Sequence, residues 1–145
     1  MSLFARIEWR LNKEIKKRRL KNKNPSIIAS NCNGSFISHD LGLRFNTPTV
    51  NLYILPSDFI KFVTDLDRYL TEELIEITSD KPFPVGKLDD ITVYFMHYKT
   101  FEEAKAKWNE RRERVDRNNM FLMFTDRDGC TEEDLRAFED RKSVV

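Results

Sequence analysis

Ile27-Ile28-Ala29-Ser30-Asn31-Cys32-Asn33-Gly34 is a short apolar run that stops abruptly in a cluster of polar side chains. Three more runs end the same way. Residues 50–55 meet Pro56-Ser57-Asp58, residues 91–96 meet His97-Tyr98, and residues 120–124 meet Thr125-Asp126-Arg127-Asp128-Gly129-Cys130. Short apolar runs bounded by turn residues read as buried strands. In open α/β sheets, ligands bind just beyond the carboxyl ends of strands. The spacing therefore predicts four polar loops converging on one edge of a sheet.

Between these runs the period changes. Phe59, Phe62, Val63, Leu66, Tyr69 and Leu70 share one face of a helix, entered through Pro56 with Ser57 as the expected N-cap. Thr100 with Glu103 three positions on is a capping box, opening a helix that buries Phe101, Ala104, Trp108 and Val115. Thr131 with Asp134 opens a last helix to about residue 140. Residues 35–43 mix helical spacing with Gly34 and Gly42 and read as a loop with a helical turn or two. Residues 74–78 read as a short strand, and Lys81-Pro82-Phe83-Pro84-Val85-Gly86 as a rigid loop, because each proline restrains the residue before it. The alternation predicts an α/β layered, Rossmann-like fold with a mostly parallel or mixed sheet.

The 145 residues suffice for one core, and 40% hydrophobic with 34% charged residues excludes a disordered or fibrous chain. Cys32 and Cys130 form neither a disulfide framework nor a C-x-x-C pair, which fits a reducing, cytoplasmic setting. The net charge of +1 hides a division: residues 1–24 hold nine Lys/Arg against Glu8 and Glu14, so residues 25–145 are acidic overall. In the first segment Leu3, Phe4, Ile7, Leu11 and Ile15 fall near one stripe. A basic amphipathic helical arm over 1–24, ahead of an α/β domain over 25–145, is the expected division. Its stripe either packs on the domain or lies on anionic membrane at the inner face of the cell membrane. Nucleic acid is set aside as a partner, because no aromatic-rich sheet motif accompanies the charge.

Asp126-Arg127-Asp128 is the sharpest local motif. Two carboxylates two residues apart in a turn are candidate ligands for a hard divalent cation, Mn or Mg, which in turn clamps a diphosphate. The same residues also suit a plain turn, with Asp126 as a cap and Asp128-Gly129 as the turn pair. Cys32, His39, His97 and Cys130 could be gathered into a zinc site, although none occurs in a close sequence pair. His39 and Asp40 are the candidate general acid/base pair. No G-x-G-x-x-G or G-x-x-x-x-G-K-[ST] occurs, which excludes a dinucleotide fingerprint and a P-loop.

Taken in order, five blocks carry a resemblance: residues 28–37, His39-Asp40-Leu41-Gly42-Leu43, residues 45–52, Pro56-Ser57-Asp58-Phe59 and Phe83-Pro84-Val85-Gly86. His97-Tyr98, Trp108 with Arg111-Arg112, and residues 124–129 extend it. The chain resembles an uncharacterised bacterial domain family associated with exopolysaccharide and capsule biosynthesis, over about residues 25–140. The resemblance implies an α/β fold and a part in polysaccharide assembly. Members continue with another strand, so the chain resembles a copy truncated at its C-terminus. The expected function is that of a transferase acting on an activated sugar, with a nucleotide sugar or glycan intermediate as partner. Asp126 and Asp128 would hold the metal, Arg127 or Arg44 a phosphate, and Asn31, Asn33, His39 and Asp40 the sugar hydroxyls. The competing expectation is a non-catalytic binding or scaffold module of such a system.

Overall fold

The computed structural model describes residues 1–142. In chain order the elements are α1 (Leu3–Arg19), β1 (Ser26–Ala29), α2 (Asn33–Asp40), α3 (Pro56–Thr64), α4 (Leu66–Thr71), β2 (Ile75–Glu76), β3 (Val85–Leu88), β4 (Ile91–Tyr94), α5 (Phe101–Arg112), β5 (Met120–Met123) and α6 (Glu132–Lys142). The fold is mixed α/β. β1 pairs with β5 in parallel, Ser26 opposite Met120 through Ala29 opposite Met123. β2, β3 and β4 form an antiparallel sheet in that order.

The segment expected as a strand over 49–55 lies between the two sheets and joins them. The Ile54 N–H donates to the Ser30 carbonyl at 2.9 Å, and Tyr53 and Tyr94 exchange backbone hydrogen bonds, both at 2.9 Å. Val50, Leu52 and Ile54 are buried while Asn51 is exposed, the alternation of a strand. It forms no ladder, because the Val50 N–H turns back to the Pro48 carbonyl and Asn51 sits at φ 60°. Since it runs antiparallel to β4, its carboxyl end lies away from the end of β4.

A hairpin replaces the expected loop before residue 91. β3 and β4 are joined by Asp89-Asp90, with Leu88 opposite Ile91 and Asp89 at φ 50°. Two-residue hairpin turns need such left-handed backbone, which Asp tolerates better than most residues. Gly86 in β3 lies against Leu74, Phe101 and Phe95, where an added Cβ would stand 2.8–3.1 Å from their side chains. A position too tight for any side chain carries no hydrophobic signal.

The expected helix over 59–70 is two helices, broken at Asp65 (φ −126°, ψ 54°). The buried stripe continues across the break through Phe59, Phe62, Val63, Leu66, Tyr69 and Leu70. Pro56 is itself the first helical residue, so Leu55 rather than Ser57 is the N-cap; proline at this position wastes no N–H. α5 opens as read, with the Glu103 N–H donating to Thr100 Oγ1, and α6 opens on reciprocal Thr131 and Asp134 bonds. Trp108 meets Phe62 at 6.0 Å and Phe95 at 6.3 Å between ring centroids, joining α5 to α3 and to the end of β4.

Tyr69 donates its hydroxyl proton to Asp90 Oδ1 at 2.7 Å, fastening α4 to the hairpin turn. Burial first, and then this hydrogen bond, pushes the Tyr69 pKa up from 10.0 to about 12. A pKa raised on folding leaves stability intact below the unfolded value and removes it as pH climbs through the folded one. Urea melts of wild type should therefore lose stability between about pH 10 and 12. The Tyr69→Phe variant should show a shallower fall over the same window, and equal slopes would show that the phenol does not titrate differently on folding.

Candidate functional site

β1, β4 and β5 all end at one cleft of about 570 Å³, lined by Asn31, Cys32, Asn33 and Phe36 from the β1–α2 connection, Met96 and His97 after β4, and Arg127 and Asp128 after β5. Tyr53, Lys81 and Phe83 complete its wall. Three of the four polar loops expected to meet do so. The fourth, Pro56-Ser57-Asp58, is not part of the lining: Asp58 instead accepts the Thr92 N–H at 2.9 Å, consistent with the reversed direction of the segment before it.

The ends of β1 and β5 are strutted together. The Asn31 amide donates to Thr125 Oγ1 at 3.0 Å, while its carbonyl oxygen accepts the Asn33 N–H at 3.1 Å. The second bond is an Asx turn that launches α2. α2 is a full helix of eight residues, where residues 35–43 were expected to be mostly loop. Its buried face is Gly34, Ser35 and Ser38, so the helix meets β1 through small residues and leaves Phe36 exposed over the cleft. After β5, the Cys130 N–H closes on the Arg127 carbonyl at 3.2 Å, with Asp128 at φ 60° and Gly129 at φ 81°. Two consecutive left-handed residues make a primed turn, which aspartate and glycine favour.

One wall is aromatic. The Tyr53 ring stacks on Tyr94 with centroids 4.6 Å apart and planes 1° from parallel, and Phe83 meets Tyr53 edge-on at 6.3 Å. Burial pushes the Tyr53 hydroxyl up, and the nearby Tyr94 and Asp128 add to the shift. Lys81, His97 and Arg127 supply cationic or protonatable groups against the single carboxylate of Asp128. Cys32 points Sγ at Met96 Sδ and the Leu52 carbonyl, 3.8 and 3.7 Å away. Burial raises its thiol pKa, and Cys130 is raised likewise by burial and then by Asp134 and Asp126. Neither is set up as a thiolate nucleophile.

Of the residues singled out from sequence, Asn31, Cys32, Asn33, His97, Arg127 and Asp128 share the cleft. His39, Asp40, Arg44 and Asp126 are not part of its lining. His39 lies in the last turn of α2 with its ring 5.3 Å from that of Trp9 in α1, and Asp40 is exposed at the same helix end. Arg44 is exposed in the following loop. The described residues contain no group of three or more His, Cys, Asp or Glu side chains able to hold a metal, so Cys32, His39, His97 and Cys130 do not form a zinc centre. Any cation at Asp126 and Asp128 would need its remaining ligands from a bound molecule. Tyr53, Lys81, Phe83 and Met96 were not singled out, although the proline-stiffened loop over 81–86 was the available clue to two of them.

Fold and cleft together define a mixed α/β domain with a polar, aromatic-walled cleft at the ends of β1, β4 and β5. The chain belongs to the family described as Domain of unknown function (DUF1919), whose profile matches residues 5–142 and so includes most of α1. A protein of Haemophilus influenzae (strain ATCC 51907 / DSM 11121 / KW20 / Rd), described as uncharacterized, is 42% identical over an alignment 146 residues long, which covers 96% of this chain and 71% of that protein. Among the described residues no helix is long and apolar enough to cross a membrane.

Proposed function

We propose that the cleft binds an activated, phosphorylated sugar, such as a nucleotide sugar, as the donor or cargo of an exopolysaccharide or capsule assembly step in the cytoplasm. The observation that carries this reading is the meeting of Lys81 and Arg127 with the Asn33 amide and the Tyr53 and Phe83 rings in one cleft. Guanidinium and ammonium groups bind phosphate oxygens, amides suit pairs of hydroxyls, and aromatic faces take a base or the apolar face of a sugar. A divalent cation, Mn or Mg, would have Asp128 as its carboxylate in the cleft, with phosphate oxygens from the ligand filling its shell and Asp126, outside the lining, as a further candidate. Within the proposed Rossmann-like layering this is the strand-end position at which such ligands sit.

Transfer chemistry would use His97, which lines the cleft, in place of His39 and Asp40. The position of that earlier pair outside the cleft also favours a second reading, in which the domain carries or senses the ligand as a non-catalytic binding or scaffold module.

Isothermal titration with UDP-sugars, with and without manganese, tests the binding claim directly. Binding at about 1 mM or tighter is expected, weakened at least about tenfold by Arg127→Ala or Lys81→Ala, since a hydrogen bond to a charged group contributes about 1.5–3 kcal/mol. Absence of binding to wild type with either metal condition, or binding indifferent to both substitutions, would overturn it. Detected binding without sugar release or transfer would favour the non-catalytic reading.

A further inference from the structure

α1 rests on the domain through the face opposite its apolar stripe. Ala5, Lys13 and Lys17 are partly covered, and Trp9, between Ala5 and Lys13, has its ring against His39. Lys13 and Lys17 lie over Gly42, where an added Cβ would stand 3.2 Å from Lys13 Cε and 3.5 Å from Lys17 Cδ. Lysine stems cover apolar backbone in this way while their charges reach water. These positions recur every four residues, as do Leu3, Ile7 and Leu11, but offset by two residues, which is about half a turn round the helix. No residue of α1 is buried, and Phe4 is 84% exposed, Leu3 71% and Leu11 59%.

We propose that the outer face of α1 docks on an anionic lipid surface. The apolar stripe of Leu3, Phe4, Ile7, Leu11 and Ile15 is presented outward on a helix already held by its other side, so lying flat on a bilayer would require no undocking. The charge matches. Arg10 and Arg19 flank the stripe, Arg18 continues its line in the last turn with Lys16 and Lys17, and Lys21 and Lys23 follow; Glu8 borders the stripe and Glu14 falls within its arc, where Arg18 one turn on offsets its charge. Shallow insertion of apolar side chains together with a polybasic segment supplies the two signals that stable peripheral binding needs. The inference concerns a surface distinct from the cleft, and stands whether or not the cleft binds a sugar.

Co-sedimentation of the full chain with phosphatidylcholine vesicles, with and without phosphatidylglycerol, tests it. Binding to the anionic vesicles alone is expected, falling steeply as salt rises from about 0.1 to about 1 M, where the Debye length shrinks from about 10 to about 3 Å. Phe4→Glu with Leu11→Glu should cut partitioning at least about tenfold, with far-UV spectrum and melting temperature unchanged, because both side chains face solvent. Arg18→Gln with Arg19→Gln should weaken the preference for anionic lipid. Absence of vesicle binding, or equal binding by the Phe4→Glu/Leu11→Glu variant, would overturn the proposal. So would a dimer in light scattering that this variant separates into monomers, which would assign the stripe to a second copy of the chain.

Discussion

Phe59→Ala is expected to lower stability by about 3–5 kcal/mol, the cost of truncating a fully buried aromatic ring that its surroundings cannot collapse to fill. Phe59 is fully buried and joins three elements. Its ring stacks on Phe124 just beyond β5, with centroids 5.8 Å apart and planes 3° from parallel, and meets Phe62 and Phe138 at 6.4 Å each. Phe124 and Phe138 are themselves 5.0 Å apart, so one ring from α3 anchors both the exit from β5 and α6. Against a typical total of about 5–15 kcal/mol this is a large fraction, and the melting temperature should drop by roughly 10–20 °C. Phe59→Leu, which keeps most of the volume, should cost about 1.5 kcal/mol. Thermal and urea melts of the two variants decide the matter: an alanine variant within about 1 kcal/mol of wild type would mean that the α3–α6 packing contributes little.

The same cluster supports the cleft. Phe124 is three residues before Arg127, and loosening its stack frees the primed turn that presents Arg127 and Asp128. Stability and ligand affinity should therefore fall together in Phe59→Ala, whereas Arg127→Ala should lower affinity alone. That contrast separates a residue that positions the turn from one that meets the ligand.

The parts of this fold legible in the sequence are those whose side chains carry the period. β1, β4, β5, α5, α6 and the buried face shared by α3 and α4 all announce themselves through apolar spacing or a capping box. What escaped is governed by backbone and by small residues. α2 hides because its buried face is Gly34, Ser35 and Ser38, while Phe36 and Ile37, which would suggest a core face, are exposed. β3 hides because Pro84 precedes it and Gly86 sits in it, both read as loop signals, although Gly86 is there because its neighbours leave no room for a side chain. The segment over 49–55 shows the converse: alternation correctly places Val50, Leu52 and Ile54 inward, but cannot foresee that Asn51 at φ 60° breaks the ladder.

The same division holds at the cleft. Strand-end loops could be found from where apolar runs stop, which brought out Asn31, Asn33, Arg127 and Asp128. Contributions from the middle of a segment, such as Tyr53, or from a distant loop, such as Lys81 and Phe83, depend on which strands neighbour each other, and that is a long-range property. His39 and Asp40 were attractive because of their chemistry. They lie at the far end of α2 from the cleft because the helix carries them away from β1, and only the length of that helix decides the point.

Gly34→Leu is expected to cost about 3 kcal/mol, at the upper end for overpacking, and to disturb the cleft as well. A Cβ on Gly34 would stand 2.8 Å from the Cβ of Ala29 and 3.3 Å from Cγ2 of Ile27. The first is a short side chain fixed directly to β1, so it cannot swing aside, and α2 must move instead. Two effects compete in the smaller change, Gly34→Ala. Replacing glycine inside a helix gains about 1 kcal/mol of propensity, while the clash costs about 1–3 kcal/mol, so a net loss of about 1 kcal/mol is expected for Ala. Leucine adds further atoms to the same gap with little additional propensity. Because Asn33 and Phe36 ride on α2 and Asn31 is tied to its start, a shift of the helix displaces one wall of the cleft. Affinity for the cleft ligand should therefore fall in Gly34→Leu even at temperatures where the variant is fully folded. The sign for alanine is the sensitive observable: a raised melting temperature in Gly34→Ala would show propensity winning, with α2 able to shift away from β1 at little cost.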